Sequence, residues 1–435
     1  MKGTRLVSYW KLTEFHPEPK QIFMLDIKFI RENPDKVKQG AKNKGVDIDI
    51  AKVLKLDKQK RELMVRAEQI KSEQNKLSKG EITDDIKIKA KDLKDQFQKS
   101  EAELKEIEEN LNKLLHQIPN APFDDVPVGK DDSENVVARK VGEPPRFDFK
   151  PKEHWELGED LDIIDTARAS KVAGSRFYYL KGKGALLEFA LINLAMETLT
   201  KKGFTPVIPP VMIKKEMAWA MGYLQQTDDE EAYHLEKDDL YLTATSEQSL
   251  GAMHAGETFD EKQLPKLYVG FSTCFRREAG SHGKDVRGIL RVHQFDKIEM
   301  FIFCKPEDSA KEHELLLACE EDLMQKLELP YQVIDICTGD LGVPAAKKYD
   351  IEAWMPGQNR YRETHSTSNC ADFQARRLNV RYRDKQGKLN FVHTLNGTAF
   401  SMRPIIAILE NFQQKNGSVK VPQILHKYLD FKEIK

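Results

Sequence analysis

The stretch FRREAGSHGKDVRGILRVHQFDKIEM, from Phe275 to Met300, has charges and rings at the spacing of a ligand-binding β-hairpin. Arg276 and Glu278 stand two residues apart at the end of one predicted strand, and a Gly-containing loop follows. Three more side chains then return at four-residue intervals: Arg291, Phe295 and Glu299. Because residues two or four apart on a strand share a face, we expect one face to carry a guanidinium, two carboxylates and a ring. Such a face is suited to binding a nucleotide and an activated carboxylate.

Composition and charge are those of a soluble enzyme with two or three domains. The 435 residues are enough to bury a full catalytic core. The formal net charge of −1 gives no global attraction to nucleic acid, so a polyanion would have to meet local patches. The five cysteines form no CxxC pair, which argues against a disulfide framework or a thiolate zinc site. No apolar run approaches the roughly 20 residues that span a bilayer. We therefore expect a cytoplasmic protein that does not bind a membrane.

Residues 1–23 differ from the rest of the chain. They mix proline, aromatic and charged residues without a period and lack the apolar core of a signal peptide. From Met24 onward, MLDIKFIRENPDKVKQG has its own helix signals. We expect either a disordered extension or a misassigned upstream start codon, and the second is the favoured interpretation.

The segment from about Asp49 to Ile118 has the clearest period in the chain, in two runs separated by a Gly-containing break at residues 79–84. Apolar positions in the second run alternate by four and three, which is typical of a coiled-coil seam: Ile86, Ala90, Leu93, Phe97, Ser100, Leu104, Ile107, Leu111, Leu114 and Ile118. The first run repeats at Leu56, Leu63, Ile70 and Leu77, with Ala67 and Gln74 between them. This pattern predicts an antiparallel two-helix coiled-coil arm, roughly 50 Å long at 1.5 Å per residue.

The periodicity of the arm, taken alone, would favour simple dimerisation. Its charge instead favours contact with a polyanion. Between residues 52 and 79 there are nine Lys or Arg against four acidic residues, a local net charge of +5. Acidic residues collect instead near the base of the second helix. A basic tip of this kind suits contacts to a phosphate backbone. A plain solvated charge pattern is the alternative.

Prolines after Ile118 end the arm, because proline cannot continue a helix. We therefore divide the chain into the extension 1–23, an N-terminal domain with the arm at 24–120, a connector at 121–160 and an α+β body at 161–435. In the body, Gly184 to Phe204 has the apolar spacing of a buried helix. The following TPVIPPVMI predicts a strand interrupted by Pro209 and Pro210, which suits a sheet edge or a subunit interface.

The chain has neither a GxxxxGK[ST] phosphate loop nor a GxGxxG fingerprint. Three other clusters could bind polar ligands: residues 243–247 (TATSE) after a strand-like LYL, residues 362–369 (RETHSTSN), and residues 396–398 (NGT) leading to Arg403. The first suits a small zwitterion, the second suits Mg²⁺ with substrate phosphates, and Arg403 could bind an anion at a helix start. Each is weak alone, because Ser/Thr clusters are more often turns and an isolated arginine is more often on the surface.

Taken together, these features resemble a seryl-tRNA synthetase of the ordinary bacterial type, which is a class II aminoacyl-tRNA synthetase. The similarity runs from Met24 to the C-terminus. It rests on the arm and on six segments: residues 24–37, 173–188, 275–300, 337–363, 368–377 (SNCADFQARR) and 395–400 (LNGTAF). The pattern FRxE…RxxxFxxxE is shared by several synthetases, whereas GSHGKDVRG, SNCADFQARR and the arm are close to diagnostic in combination.

The resemblance implies a serine--tRNA ligase with a catalytic domain built on an antiparallel sheet flanked by helices. It implies ATP as a substrate with Mg²⁺, activation of L-serine to seryl-adenylate, and transfer to the 3′ end of tRNA(Ser). The implied catalytic residues are Arg276, Glu299 and Arg403. The implied ATP-binding residues are Arg276, Arg277, Glu278, Phe295, Glu363, Thr364, His365, Ser366 and Arg403, with Glu363 and Ser366 also at the metal. The implied serine-binding residues are Thr245, Ser246, Glu247, Arg276, Glu299, Asn396 and Thr398.

The family also implies partners. Its arm is expected to bind the long variable arm of serine tRNAs, since the segment after Arg403 is too short for an anticodon-binding domain. A homodimer is expected as well. Whether a selenocysteine tRNA is charged stays open.

This chain departs from the family pattern in two places. Thr245-Ser246-Glu247 stands where Thr-Ala-Glu is usual, and the segment from Asn396 to Arg403 is one residue shorter than the common form. Two alternatives stay open: a class II paralogue that activates a small amino acid for a non-tRNA acceptor, and a catalytically dead coiled-coil RNA-binding module. Relatives of the first kind tend to lack the arm, and intact Arg276, Glu278 and Glu299 argue against the second.

Overall fold

The computed structural model describes residues 27–77, 83–224, 231–279, 285 and 287–435. Three predicted features lie outside the described residues: the extension 1–23, the hairpin turn at 78–82 and the Gly-containing loop at 280–284.

In chain order, the helices within these ranges are α1 (Ile27–Glu32), α2 (Pro34–Asn43), α3 (Ile50–Leu77), α4 (Asp84–His116), α5 (His154–Asp160), α6 (Thr166–Ala173), α7 (Lys183–Lys201), α8 (Lys215–Ala220), α9 (Ser246–Ala252), α10 (Ser309–Lys326), α11 (Phe373–Leu378) and α12 (Arg403–Asn411). The strands are β1 (Val136–Val141), β2 (Ile164–Asp165), β3 (Tyr179–Leu180), β4 (Thr205–Val207), β5 (Met212–Lys214), β6 (His234–Leu235), β7 (Leu240–Leu242), β8 (Thr258–Asp260), β9 (Lys266–Phe275), β10 (Gln294–Cys304), β11 (Tyr331–Asp335), β12 (Lys347–Met355), β13 (Arg360–Asn369), β14 (Arg381–Arg383), β15 (Leu389–Phe391), β16 (His393–Phe400), β17 (Val419–Lys420) and β18 (Glu433–Ile434).

Helices α3 and α4 pack against each other as the predicted arm. Of the seam positions read from the sequence, all but Ala90 are shielded from solvent at least in part, and the residues between them are mostly exposed. At the base, the seam continues into a small core formed with α1 and α2: Ile30, Val37, Val53, Leu111, Leu115 and Ile118. The prediction of a coiled-coil arm is therefore confirmed.

The α+β body is built on a mainly antiparallel sheet, which has eight strands among the described residues in the order β1-β11-β12-β13-β16-β10-β9-β4. Alternate residues of β10 serve two cores. Ile298, Met300 and Ile302 join the large core that includes α7, α10 and α12, whereas Phe301 and Phe303 join a smaller core with α8, α9 and α11. The face of β10 that carries Phe301 and Phe303 is open at the other end of the strand, where a cavity lies. The predicted α+β class is confirmed.

The ends of the sheet come from segments that the sequence classified differently. Strand β4 pairs parallel to β9 at one edge, as the proline-interrupted pattern predicted. At the other edge, β1 pairs antiparallel with β11, although its residues fall in the predicted connector 121–160. This strand is exposed on both faces except near Val141 and so lacks the alternation that marks a strand in the sequence.

Candidate active site

A cavity of about 360 Å³ lies on the open face of the large sheet, where β9, β10, β13 and β16 meet the starts of α9 and α12. Most of the predicted site residues line it: Thr245, Glu247, Arg276, Glu278, Phe295, Glu299, Glu363, Thr364, Ser366, Asn396, Thr398 and Arg403. These residues come from distant segments of the chain: the first, Thr245, and the last, Arg403, are 158 positions apart in the sequence. The structure therefore brings together the three clusters that were weak separately.

The hairpin of β9 and β10 supplies one wall of the cavity. Phe295, Lys297 and Glu299 alternate along β10 and all line the cavity. Arg276 follows β9, and its backbone N–H donates to the carbonyl of His293 at 2.9 Å, which extends the hairpin by one pair. Its guanidinium lies over the ring of Phe295, 5.1 Å from the centroid, and Nε donates to the Ala244 carbonyl at 3.2 Å. The guanidinium is thus held at the cavity wall from two sides.

Arg291 has a different place from the one expected. Strand β10 begins at Gln294, so Arg291 precedes the strand and does not share the face of Phe295 and Glu299. Its guanidinium instead donates to Glu278 at 3.3 Å and to Asp285 at 3.2 Å. Arg291 therefore holds the Glu278 carboxylate, which is the group that faces the cavity.

A β-bulge decides which residues of β13 face the cavity. Ile351 pairs with His365 and Glu352 with Glu363, so Thr364 is the extra residue on β13. A bulge shifts the alternation of a strand by one. As a result Glu363 and Ser366, three positions apart, both line the cavity, whereas His365 is buried at 1% exposure.

Glu363 and Arg403 form an ion pair at the cavity. Arg403 Nη1 lies 3.1 Å from Glu363 Oε1 and donates to the Glu363 carbonyl at 2.9 Å. The Glu363 side chain is 46% exposed, and the charges of Arg403 and Lys348 outweigh its partial desolvation and lower its pKa. Arg403 is the first residue of α12, as the sequence predicted, and it reaches the cavity despite the shortened segment before it.

Two buried carboxylates line the cavity where β10 meets the start of α9: Glu247 and Glu299, at 5% and 1% exposure. Glu247 accepts hydrogen bonds from Tyr223 Oη at 3.0 Å and from Gln374 Nε2 at 2.9 Å. Burial, with the nearby charge of Glu299, raises the pKa of Glu247 to about 7. Burial also raises the pKa of Glu299, opposed by the charge of Lys297.

A second bulge places Thr398 beside Glu299. Ile298 pairs with Phe400 and Glu299 with Thr398, so Ala399 is the extra residue on β16. Thr398 Oγ1 consequently donates to Glu299 Oε2 at 3.4 Å. A small substrate at this end would meet two carboxylates and two threonine hydroxyls, of Thr245 and Thr398.

Three predicted residues do not line the cavity. Ser246 Oγ lies 2.7 Å from Ser272 Oγ in the protein interior. Arg277 places its guanidinium over the ring of Tyr233, 5.6 Å from the centroid. His365 Nδ1 lies 2.8 Å from Thr364 Oγ1, and burial lowers the pKa of the imidazole to about 3, so it is neutral at physiological pH.

Several residues that line the cavity, or contact residues lining it, were not predicted. Lys297 could have been inferred, because it alternates with Phe295 and Glu299 on one strand. Gln374 lies inside SNCADFQARR, but nothing local indicates that it contacts Glu247. Tyr223, Lys348 and Asp350 gave no signal in the sequence.

Comparisons with known proteins agree with this geometry. Residues 24–122 match the family model described as seryl-tRNA synthetase N-terminal domain, and residues 231–412 match tRNA synthetase class II core domain (G, H, P, S and T). A serine--tRNA ligase from Thermobifida fusca is 48% identical over 413 residues, which cover 93% of this chain and 97% of that protein.

Two solved structures are similar along nearly the whole chain. Seryl-tRNA synthetase from Pyrococcus horikoshii, complexed with ATP, has a TM-score of 0.90 and 44% identity, covering 94% of this chain and 99% of its own. Cytoplasmic serine-tRNA ligase from Naegleria fowleri, in complex with AMP, has a TM-score of 0.87 and 37% identity. The match covers 95% of this chain and 99% of that protein. The chain therefore belongs to the seryl-tRNA synthetase family, whose catalytic domain is of class II.

Proposed function

We propose that this protein activates L-serine with ATP to seryl-adenylate and then transfers the seryl group to the 3′ end of tRNA(Ser). The observation that carries this proposal is the single cavity in which Arg276, Phe295 and Arg403 lie next to the buried carboxylates Glu247 and Glu299. One end of the cavity suits a nucleotide and its phosphates, and the other suits a small zwitterion with a hydroxyl group.

In the first step, the serine carboxylate attacks the α-phosphorus of ATP and pyrophosphate leaves. Arg276 is placed to bind the reacting carboxylate and α-phosphate, because a guanidinium can donate to two anions at once. Adenine stacks on Phe295, and Glu278 accepts from its amino group. Arg403 binds the γ-phosphate end. The protein contributes positioning and charge stabilisation, without a covalent enzyme intermediate.

In the second step, the 3′-hydroxyl of the terminal adenosine of tRNA attacks the seryl carbonyl, and AMP leaves. The adenylate is a mixed anhydride, so its carbonyl is already activated toward a hydroxyl. For this step the protein must hold the acceptor end of the tRNA at the mouth of the cavity.

Serine is distinguished from similar amino acids by polar contacts and by size. Its ammonium pairs with Glu247, and its hydroxyl donates to Glu299 beside Thr398. Alanine keeps the ammonium that pairs with Glu247 but has no hydroxyl to donate to Glu299, so it loses the contact that a site built for a hydroxyl provides. Threonine has an extra methyl group and must be rejected by size.

The residues around Glu363 fit a magnesium ion held jointly by protein and phosphates. Glu363 is ionised, and Glu363 and Ser366 both line the cavity. Mg²⁺ usually binds one or two carboxylates plus substrate phosphates. When bound, the ion would neutralise phosphate charge, and Glu363 with Ser366 would hold it.

The arm is the proposed tRNA-binding element. Its seam is used between its own two helices, which leaves all the lysines of α3 except Lys60 exposed. Local positive charge of this kind binds a phosphate backbone without sequence preference, which suits the long variable arm of serine tRNAs.

We also propose a homodimer in the cytoplasm. The edge formed by α7 and the segment after β4 exposes large apolar side chains, among them Phe189 at 60% and Ile208 at 88%, and light scattering tests whether they join two copies. All five cysteines are unpaired and buried, which suits a reducing compartment. No helix in the described part of the chain is long and apolar enough to cross a membrane.

The test is ATP–pyrophosphate exchange with each of the twenty amino acids, followed by charging of total tRNA with the same preparation. The proposal expects exchange with serine alone and charging of serine tRNAs. Exchange without charging would indicate a ligase for a non-tRNA acceptor. Absence of exchange would indicate an RNA-binding module without catalysis.

A further inference from the structure

Lys297 is the cation nearest to the buried carboxylate that faces the substrate hydroxyl. It lies two residues before Glu299 on β10, on the same face of the strand, and its side chain is 11% exposed. Its ammonium lies 2.6 Å from Glu299 Oε2 and donates to Thr245 Oγ1 at 3.1 Å. Lys297 therefore connects β10 and the start of α9, two elements whose residues line the cavity.

The other cations of the cavity have different partners. Arg403 pairs with Glu363, Lys348 Nζ lies 3.0 Å from Asp350, and Arg276 donates to the Ala244 carbonyl over the ring of Phe295. Each of these is placed toward the nucleotide end or at the cavity wall. Among the described residues, the ion pair of Glu299 is with Lys297.

We propose that Lys297 is a specificity-determining positioning residue, which keeps Glu299 an ionised hydrogen-bond acceptor aimed at the hydroxyl of the substrate. The inference rests on the proposed function, since it assigns the residue that makes serine distinguishable from alanine. An ionised carboxylate can only accept, so it offers an acceptor to the substrate hydroxyl, which the side chain of alanine lacks. A protonated carboxyl could satisfy itself by donating to a neighbour and would no longer impose that demand.

The charges around Glu299 make its protonation depend on Lys297. The groups that face it are Lys297 on β10, Arg276 after β9, Glu247 on α9, Tyr223 after α8 and Glu320 on α10. Two of these are acids, and burial raises the pKa of Glu299 in addition. Without Lys297, we expect Glu299 to bind a proton at neutral pH.

The experiment compares Lys297→Met and Lys297→Arg with the wild type in ATP–pyrophosphate exchange, measuring kcat/KM for serine and for alanine. In Lys297→Met, kcat/KM for serine should fall roughly 10- to 100-fold through a higher KM for serine, while the KM for ATP stays unchanged. The preference for serine over alanine should fall by a similar factor. Lys297→Arg, which keeps the charge, should retain most of the preference.

The pH profile separates this role from a merely structural one. Raising the pH from 7 to 9 should return the serine kcat/KM of Lys297→Met toward the wild-type value, because Glu299 ionises again. The matched control is Lys305→Met, which removes the lysine just beyond the far end of the same strand, where it pairs with Glu307 at 3.1 Å outside the cavity. This control should behave like the wild type.

Two outcomes would overturn the inference: unchanged serine preference in Lys297→Met, or an equal loss of ATP and serine binding without recovery at high pH. Should Lys297→Met fail to fold, Lys297→Gln decides by the same comparison. A wild-type protein without serine-dependent exchange would instead overturn the proposed function itself.

Discussion

At the residue scale, the cavity is organised by pairs of opposite charges rather than by isolated groups. The pairs are Lys297 with Glu299, Lys348 with Asp350 and Arg403 with Glu363. In the proposed function, the first pair belongs to the end that binds the substrate hydroxyl and the other two belong to the phosphate end. A buried charge is tolerated only with a partner. Substrate binding can then replace or extend these partners at each end.

Arg276 is the residue whose loss should affect the first step most. In Arg276→Ala, serine-dependent ATP–pyrophosphate exchange should fall by at least about 10²-fold, since the donor to both reacting anions is removed. The matched control is Arg139→Ala on β1, far from the cavity, where the guanidinium pairs with Glu321 at 2.5 Å. Near-normal exchange in Arg276→Ala would refute the role assigned to this residue.

Glu247 should make serine binding depend on pH. Only the ionised carboxylate can pair with the ammonium of serine, and its pKa of about 7 lies in the working range. The KM for serine should therefore rise as the pH falls from 8 to 6, by up to about tenfold per unit below the pKa. A KM for serine that does not change over this range would contradict the assignment.

Glu247 should also make the stability of the folded protein depend on pH. The pKa of Glu247 is raised from 4.5 to about 7 on folding, so ionisation destabilises the folded state as the pH rises from about 4.5 to 7. Above pH 7 the full cost is about 3 kcal/mol. Glu247→Gln should accordingly raise the Tm at pH 8, with little change at pH 5, while serine exchange is lost. Glu216→Gln, an exposed position on α8, is the control and should change neither.

At the scale of elements, the arm is separable from the cavity. The ion pair between Lys60 and Glu108, at 2.9 Å, sets the register of α3 against α4. With this register Leu63 faces Lys105, so residues 64–104 can be replaced by a short Gly-Ser turn. The small core at the base of the arm, with Val53, Leu111 and Leu115, would be kept.

The truncated protein should keep serine-dependent exchange and lose charging of tRNA. Pyrophosphate exchange and charging with the same enzyme sample measure the two activities. A full-length variant with Lys71→Gln and Lys76→Gln is the companion, and each lysine that contacts phosphate should reduce the salt dependence of tRNA binding by a slope of about 1. Undiminished charging by the truncated protein would show that the arm has another role.

At the scale of the whole molecule, the N-terminal domain holds a segment of the active site in place. Lys44 Nζ, at the end of α2, donates to the carbonyls of Gly342 at 3.0 Å and Ala345 at 2.6 Å. Residues 342–345 line the cavity. A second contact stacks the ring edge of His116 on Trp219, with centroids 4.3 Å apart, beside the guanidinium of Arg377.

Removing the Lys44 contacts should destabilise the protein as a whole. Lys44→Met leaves carbonyls of the cavity segment without their donor, and the free energy of unfolding should fall by about 1–3 kcal/mol. Chemical denaturation measures this change. Lys42→Met, at an exposed position of the same helix, is the control. Equal stability of the two variants would mean that the Lys44 contacts contribute little.

Much of this protein was readable from its sequence, because many of its features have a local cause. The seam of the arm follows from apolar residues at alternating spacings of three and four, and the period of a helix maps that pattern onto one face. The strand with Phe295 and Glu299 follows from alternation, and the start of α12 at Arg403 follows from the apolar run behind it. Most of the candidate cavity residues were named on these grounds and on resemblance to a family.

Only the tertiary structure decided how these residues meet. The bulges at Thr364 and Ala399 place Glu363 with Ser366 and Glu299 with Thr398, and Arg291 lies outside the strand that would have aligned it with Phe295. The pairing of β1 with β11, and of Glu247 with Tyr223 and Gln374, likewise joins distant segments. Local periodicity records which face of an element is apolar. It does not record the register between strands or the partner of a buried charge, because both depend on contacts that form only when the whole chain has packed.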